Sequence, residues 1–232
     1  MAETSVKRFL PVLTGAALAV SLALALLTGL LYVAGTNADW MHAMLTHHAP
    51  SDMTGLPESE YRPMAEMITS YLAGKHDTFQ HTFIRESDGV TLVCFDGHEQ
   101  QHMADCYLLF RMCRTAMLAS CAAAVALASS AHKRKRNLRQ TCIGALIGFC
   151  AVLAAAAVLI VWGVADFDGL FILFHQLSFA NDLWMLNPAT DLLIRLMPTS
   201  FFVSYAAMIG FGWAALCAAG ASYAAVLLRR MK

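Results

Sequence analysis

Residues 95–106 read FDGHEQQHMADC, in which His98, Glu99 and His102 stand in the H-E-x-x-H spacing. On a helix that spacing sets two imidazoles on one face to hold zinc, while the glutamate activates a water. A third ligand would come from His42, His47, His48, His76, His81 or His175. Another reading uses only part of the motif. Asp96 as N-cap with Glu99 at N3 makes a D-x-x-E capping box, and Glu99, His102 and Asp105 or Cys106 then recur along one helical stripe. Glu99 would start a helix, and His102 would sit one or two turns above the membrane, as a solvated helix-start histidine or as a group open to chemistry. Imidazole, with a pKa of about 6.5, is suited to taking and returning a proton near neutrality. With nine histidines in the chain, the match has an appreciable chance of being accidental, so its surroundings must decide.

Those surroundings are apolar. The 232 residues are 58% hydrophobic and 14% charged, with a mean hydropathy of +0.56, too apolar for a soluble domain of this size. Crossing a bilayer takes about 20 apolar residues. Residues 9–34, 141–164 and 200–228 meet that length, and a fourth stretch, 106–131, does so with Arg111 and Arg114 near its start, where cationic side chains snorkel to headgroups. The first stretch is too long for the core of a cleaved signal, so it reads as a retained helix. The expected fold class is an all-α membrane protein in a single integral membrane domain, 1–232. Four transmembrane helices would carry an extracytoplasmic cap over 35–105, with a possible small β-hairpin, and an interfacial segment over 165–199.

Orientation follows from charge. Lys7 and Arg8, the run KRKRNLR from Lys133 to Arg139, and Arg229, Arg230 and Lys232 lie on one side of a four-span chain, which the positive-inside rule makes cytoplasmic. All acidic residues except Glu3 fall in the two opposite connections. The zero net charge therefore hides an asymmetry. The basic loop is a topology signal that contacts anionic membrane lipids, and the chain is not expected to bind nucleic acid. The seven cysteines contain no C-x-x-C pair, and at least four lie in spans as apolar filler, which argues against thiol redox chemistry.

The two extracytoplasmic connections hold most of the reactive side chains. In the first, a helical pattern runs from about Glu58 to Ala73, and DTFQHTFIRE and VTLVCF flank Asp88-Gly89 as two strands of a hairpin. In the second, His175 sits in an aromatic run. Asn187-Pro188 reads as the cap and first residue of a short helix ending near Met197, and Pro198 restarts the chain into the last span. This segment reads as a re-entrant or surface-lying layer over the mouth of the bundle. His42, His47, His48, His76 and His81 read as exposed loop residues.

Two blocks carry a more specific signal. One is YLAG at 71–74, then Phe95, and then Glu99, His102, Met103 and Asp105 in EQQHMAD. The other is FHQLSFANDLW, with Phe174, His175, Phe179, Asn181, Asp182 and Trp184, followed by DLLIRLMP with Asp191, Leu193, Ile194 and Pro198. Together they resemble the small four-helix bacterial family of the lipoprotein intramolecular transacylase, Lit. The resemblance implies an enzyme of the bacterial cytoplasmic membrane, its site facing the extracytoplasmic side, that uses a diacylated lipoprotein. The sn-2 acyl chain of the diacylglyceryl-cysteine moves to the cysteine's own α-amine and leaves a lyso-form lipoprotein. The family's two motif histidines fall on His102 and His175, and His98 has no counterpart. Cys106 departs from the pattern, standing where a small branched residue is expected.

Such a reaction is ester aminolysis and calls for no cofactor or metal. One histidine would serve as general base and then acid, the other would polarise the ester carbonyl or stabilise the oxyanion, and a nucleophilic acyl-imidazole is the covalent alternative. Glu99 and Asp105 are candidates to orient His102; Asn181, Asp182, Trp184, Asp191 and Arg195 are the further supporting or substrate-binding candidates. Two rival functions stay open: a zinc-dependent membrane hydrolase using HEQQH, marked by chelator sensitivity, and a non-enzymatic assembly or transport subunit. Transport is disfavoured by the lack of ionisable residues at mid-span.

Overall fold

The computed structural model describes residues 2–85, 87–133 and 137–231. Its elements, in chain order, are helices α1 (Ala2–Gly35), α2 (Ala38–His48) and α3 (Ser51–Thr54), a 3-10 turn (Glu58–Glu60) and α4 (Tyr61–Leu72). Strands β1 (Thr82–Ile84) and β2 (Thr91–Val93) follow, then α5 (Gly97–Lys133), α6 (Leu138–Ala165), α7 (Phe167–Ser178), α8 (Leu192–Leu196) and α9 (Thr199–Arg230). Phe9–Gly35, α5, α6 and α9 are each long and apolar enough to cross a membrane. The protein is thus a mostly helical multi-pass membrane protein with one small sheet. Arg134, Lys135, Arg136 and Lys232 of the basic segments lie outside the described residues.

The chain forms two compact units. One gathers 1–30, 114–165 and 208–232, the other 31–113 and 166–207. In the first, apolar side chains cover most of the surface, so helix association rests on close backbone approach rather than on a water-driven core. Gly144 and Gly148 of α6 make a small-x-x-x-small pair facing α1. A β-carbon at Gly144 would collide with the Val12 carbonyl, and one at Gly148 would meet Ala16 and Ala19. Around this crossing Ala19, Ala23, Phe149 and Cys217 are buried together, and the Trp213 indole donates to the Ala23 carbonyl at 2.7 Å. Gly144→Leu is expected to cost about 1–3 kcal/mol or more through overpacking, read as a lower unfolding midpoint in detergent micelles.

The second unit has a conventional apolar core in which Met41, Leu45, Met64, Ile68, Leu72, Phe79, Phe95, Met103, Leu193, Leu196 and Phe201 pack together. Its elements follow from local chemistry. Asn37 caps α2, its Oδ1 accepting the Trp40 amide at 2.8 Å, and Met41 and Leu45 recur at four residues to face α4. Tyr61, Met64, Ala65, Ile68, Thr69 and Leu72 form the answering stripe on α4. Helix α2 was not legible as such in the sequence, and His42, His47 and His48 stand on it rather than in a loop. The pattern expected from Glu58 divides into the 3-10 turn and α4.

The hairpin is present but shorter than its flanking sequence predicts, with Thr82 paired to Val93 and Ile84 to Thr91. Gly89, at φ 70, supplies the left-handed residue its turn requires. After one further bond, from the Cys94 amide to the His81 carbonyl at 3.0 Å, pairing gives way as the Gln80 side chain takes over the backbone of Phe95. Its Oε1 accepts the Phe95 amide at 3.1 Å and its Nε2 donates to the Phe95 carbonyl at 2.6 Å. His81 is not an exposed loop residue either, since its Nε2 lies 2.8 Å from Glu60 Oε2 with the side chain largely buried.

Candidate active site

The site elements all belong to the second unit. Asp96 caps α5, its Oδ1 accepting the amides of His98 and Glu99, both at 2.9 Å. Glu99 completes the box by accepting the Asp96 amide at Oε2, 2.9 Å. Its second oxygen does something the local sequence does not announce. Oε1 accepts the amide of Leu193 in the first turn of α8, at 2.7 Å, with the residue only 2% exposed. One carboxylate thus supplies acceptors to the otherwise unpaired first-turn amides of two helix ends distant in sequence.

His102 follows on the same helix and is buried. Its Nε2 lies 3.6 Å from Cys106 Sγ, and its Nδ1 is buried with no hydrogen-bond partner among the described residues. His175 comes from α7, a helix capped by Asp166, whose Oδ1 accepts the Gly169 amide at 2.9 Å. This ring is buried as well. Its Nδ1 stands 2.7 Å from the carbonyl oxygen of Phe171, one turn earlier. A carbonyl only accepts, so Nδ1 carries the hydrogen and Nε2 of the neutral ring keeps its lone pair. Burial lowers the His175 pKa below the ordinary imidazole value, and the hydrogen bond to Phe171 opposes that shift.

The two imidazoles lie face to face, 6.2 Å between ring centres and 30° between planes. Phe179 touches both, at 5.3 Å from His102 and 5.5 Å from His175. Phe171, Phe174 and Trp184 surround His175 at 4.2, 5.2 and 4.9 Å. The pair can do acid–base chemistry in a setting where aromatic faces exclude water, which strengthens any hydrogen bond to developing charge.

The remaining sequence candidates occupy two neighbourhoods. Asp105 Oδ2 accepts from Asn181 Nδ2 at 2.9 Å, which ties α5 to the turn after α7. Asn181 also shapes that turn by accepting the Leu183 amide at 3.1 Å. Asp182 is an exposed residue of the same turn, its carbonyl accepting from Met185. Asp191 accepts the Thr190 hydroxyl at 2.6 Å and the Asn187 amide at 2.7 Å. The hydroxyl bond is the main reason its carboxyl is held below the usual range; burial opposes it, and the Asn187 amide lowers it further. Arg195 donates to the carbonyls of Asp191 at 3.2 Å and Thr54 at 3.4 Å. The helix expected from Asn187-Pro188 begins later, at Leu192. Asn187 instead opens a turn in which its Oδ1 accepts the Ala189 amide, and Asp191 becomes the cap residue.

Among the described residues no three His, Cys, Asp or Glu side chains converge as a metal ion requires. Both oxygens of Glu99, the residue a zinc protease would use as base, are already engaged by backbone amides. Two features of the site lay outside the sequence reading. The Phe171 carbonyl orients His175, and the four-residue interval between them is the only signal that could have revealed it. The Leu193 amide bound to Glu99 left no signal at all.

The family model described as lipoprotein intramolecular transacylase Lit matches residues 16–202. No curated protein matches. Among solved structures, the membrane integral lipoprotein intramolecular transacylase Lit from Bacillus cereus aligns with 97% of this chain and 99% of its own, at 19% identity and a TM-score of 0.73. Two forms of that protein, with one histidine replaced by arginine or by alanine, align at 19% identity and TM-scores of 0.68, over 100% and 99% of this chain and 99% and 100% of theirs. With the family match spanning most of its length, the chain belongs to the lipoprotein intramolecular transacylase (Lit) family and is a membrane acyltransferase.

Proposed function

We propose that the protein moves the sn-2 acyl chain of a diacylglyceryl-cysteine lipoprotein to the α-amine of the same cysteine, using His175 as general base and acid and His102 as hydrogen-bond donor to the ester oxygen. The single observation that carries this reading is the approach of two buried imidazoles, delivered by α5 and α7, to 6.2 Å between ring centres. An α-ammonium has a pKa of about 7.7–8.0, so an appreciable share is neutral, nucleophilic amine near pH 7, and as its nitrogen adds to the ester carbon it becomes acidic enough to give up a proton to a neutral imidazole. The lone pair of His175 Nε2 accepts that proton. The ester carbonyl becomes a tetrahedral oxyanion, His102 Nδ1–H stabilises it, and His175 returns the proton to the departing glycerol oxygen. The products are an amide and a free glyceryl hydroxyl. The lowered pKa of His175 makes its protonated form a better acid for that last step.

Because amine and ester belong to one molecule, holding them in a single pose supplies much of the rate. Glu99 and Asp105 act by fixing α5 against α8 and against the turn after α7. Asn181, Asp182, Asp191 and Arg195 are proposed to line the headgroup side, with Trp184 packed on His175. The acyl chains stay among the membrane lipids, and the positive-inside asymmetry supports a site facing the extracytoplasmic side. The test is expression with a diacylated lipoprotein of known sequence. Mass spectrometry of its N-terminal peptide should show one acyl group moved to the amine at unchanged total mass; an unmodified amine in a membrane holding folded protein would refute the reading.

A further inference from the structure

Cys106 follows His102 by one helical turn, and its Sγ lies 3.6 Å from His102 Nε2. Residues four apart on a helix share a face, so the contact is built into α5 itself. A thiol is a weak donor and a weak acceptor, whereas an imidazole nitrogen with a free lone pair is a good acceptor. The favourable sense of the contact is therefore S–H to Nε2. With Nε2 accepting, the neutral ring carries its hydrogen on Nδ1. That is the nitrogen found buried without a hydrogen-bond partner among the described residues, in a residue 7% exposed. An unpaired buried donor is costly, and the cost vanishes when an acceptor arrives.

We infer that Cys106 is a positioning residue for the transacylation: its thiol donates to Nε2 and holds His102 in the tautomer whose Nδ1–H is free to donate to the substrate's ester oxygen. The inference rests on the division of labour proposed above. Both histidines are then the same tautomer with opposite atoms left free. At His175 the backbone carbonyl of Phe171 occupies Nδ1–H and leaves the Nε2 lone pair as a base. At His102 the thiol occupies the Nε2 lone pair and leaves Nδ1–H as a donor. A small branched residue in place of Cys106 would pack there but could not choose between nitrogens.

The experiment uses the full chain in detergent with 15N-labelled histidine, the His102 signals being assigned by their loss in His102→Gln. In the unsubstituted protein Nδ1 should carry the protonated-type resonance and Nε2 the bare type. Cys106→Val should shift His102 toward Nε2–H and lower kcat roughly tenfold with KM little changed, the ratio an ordinary hydrogen bond maintains between two tautomers. Cys106→Ser, whose hydroxyl donates to the same nitrogen, should restore kcat to within about threefold. An Nε2-protonated His102 in the unsubstituted protein overturns the inference whether or not the valine variant folds. Full kcat in Cys106→Val does so too, as does an acyl thioester trapped on Cys106, which would make it a nucleophile. Full activity in either His102→Gln or His175→Gln would instead sink the underlying division of labour.

Discussion

His175→Gln should lower kcat by about 10²–10⁴, the usual contribution of a positioned general acid–base group, while the protein folds and partitions into membranes as before. Glutamine keeps the approximate volume and a donor, yet has no group that takes up a proton near neutrality. His175 is buried among Phe171, Phe174, Phe179 and Trp184, so an apolar replacement would mix loss of chemistry with repacking. Comparing His175→Gln with His175→Phe separates the two effects: equal losses of kcat with unequal unfolding midpoints identify acid–base chemistry. The pH dependence carries a sign. Burial penalises the imidazolium, so the His175 pKa in the folded protein lies below the ordinary value. The ring is therefore neutral at pH 7, and its capacity as a base is lost only as pH falls below the ordinary imidazole range. A 15N NMR titration of the histidine ring nitrogens, with His175 assigned by its loss in His175→Gln, reads this directly, and a His175 midpoint above about 6.5 would contradict it.

Glu99→Ala should be the most damaging change outside the imidazole pair, acting through folding. It strips acceptors from the amides of Asp96 and Leu193 at a site where the residue is 2% exposed. A buried amide left unpaired costs about 1–3 kcal/mol, which the buried Leu193 amide bears in full and the part-buried Asp96 amide in smaller part, together a large part of a domain's stability. Glu99→Gln retains one accepting oxygen and should lose about half as much. Thermal unfolding in micelles checks this order. If Glu99→Gln instead unfolds like the unsubstituted protein but loses all turnover, the carboxylate charge serves the chemistry directly and its clamp role is secondary.

Much of the fold was readable because it is written in local patterns. Runs of apolar residues long enough to cross a bilayer marked the four long helices, and Asp88-Gly89 between alternating segments marked the hairpin. The Asp96–Glu99 box marked the start of α5, since capping joins residues three apart. The misses have equally local causes. Helix α2 escaped because TNADWMHAMLTHH interrupts its good helix formers with Thr, Asn, Asp and three histidines, and its amphipathic face shows only once α4 lies against Met41 and Leu45. The start of α8 was set too early because Asn187-Pro188 suits a helix cap and a turn alike. Asp191 decided between them by accepting the Asn187 amide, which closed the turn and delayed the helix.

The division between sequence and tertiary structure follows interaction range. Composition, charge asymmetry and periodicity by themselves determined a four-span membrane protein with its polar chemistry gathered in two connections, because solvation by lipid or water acts on each segment separately. His102 and His175 were singled out by the two motif blocks that resemble the Lit family. Only the tertiary structure brought the rings together, joined Asp105 to Asn181 across 76 residues, and closed Glu99 onto Leu193 across 94. No periodicity encodes such pairings, since they form when separate helices bury their faces together and leftover amides and carboxylates must find partners.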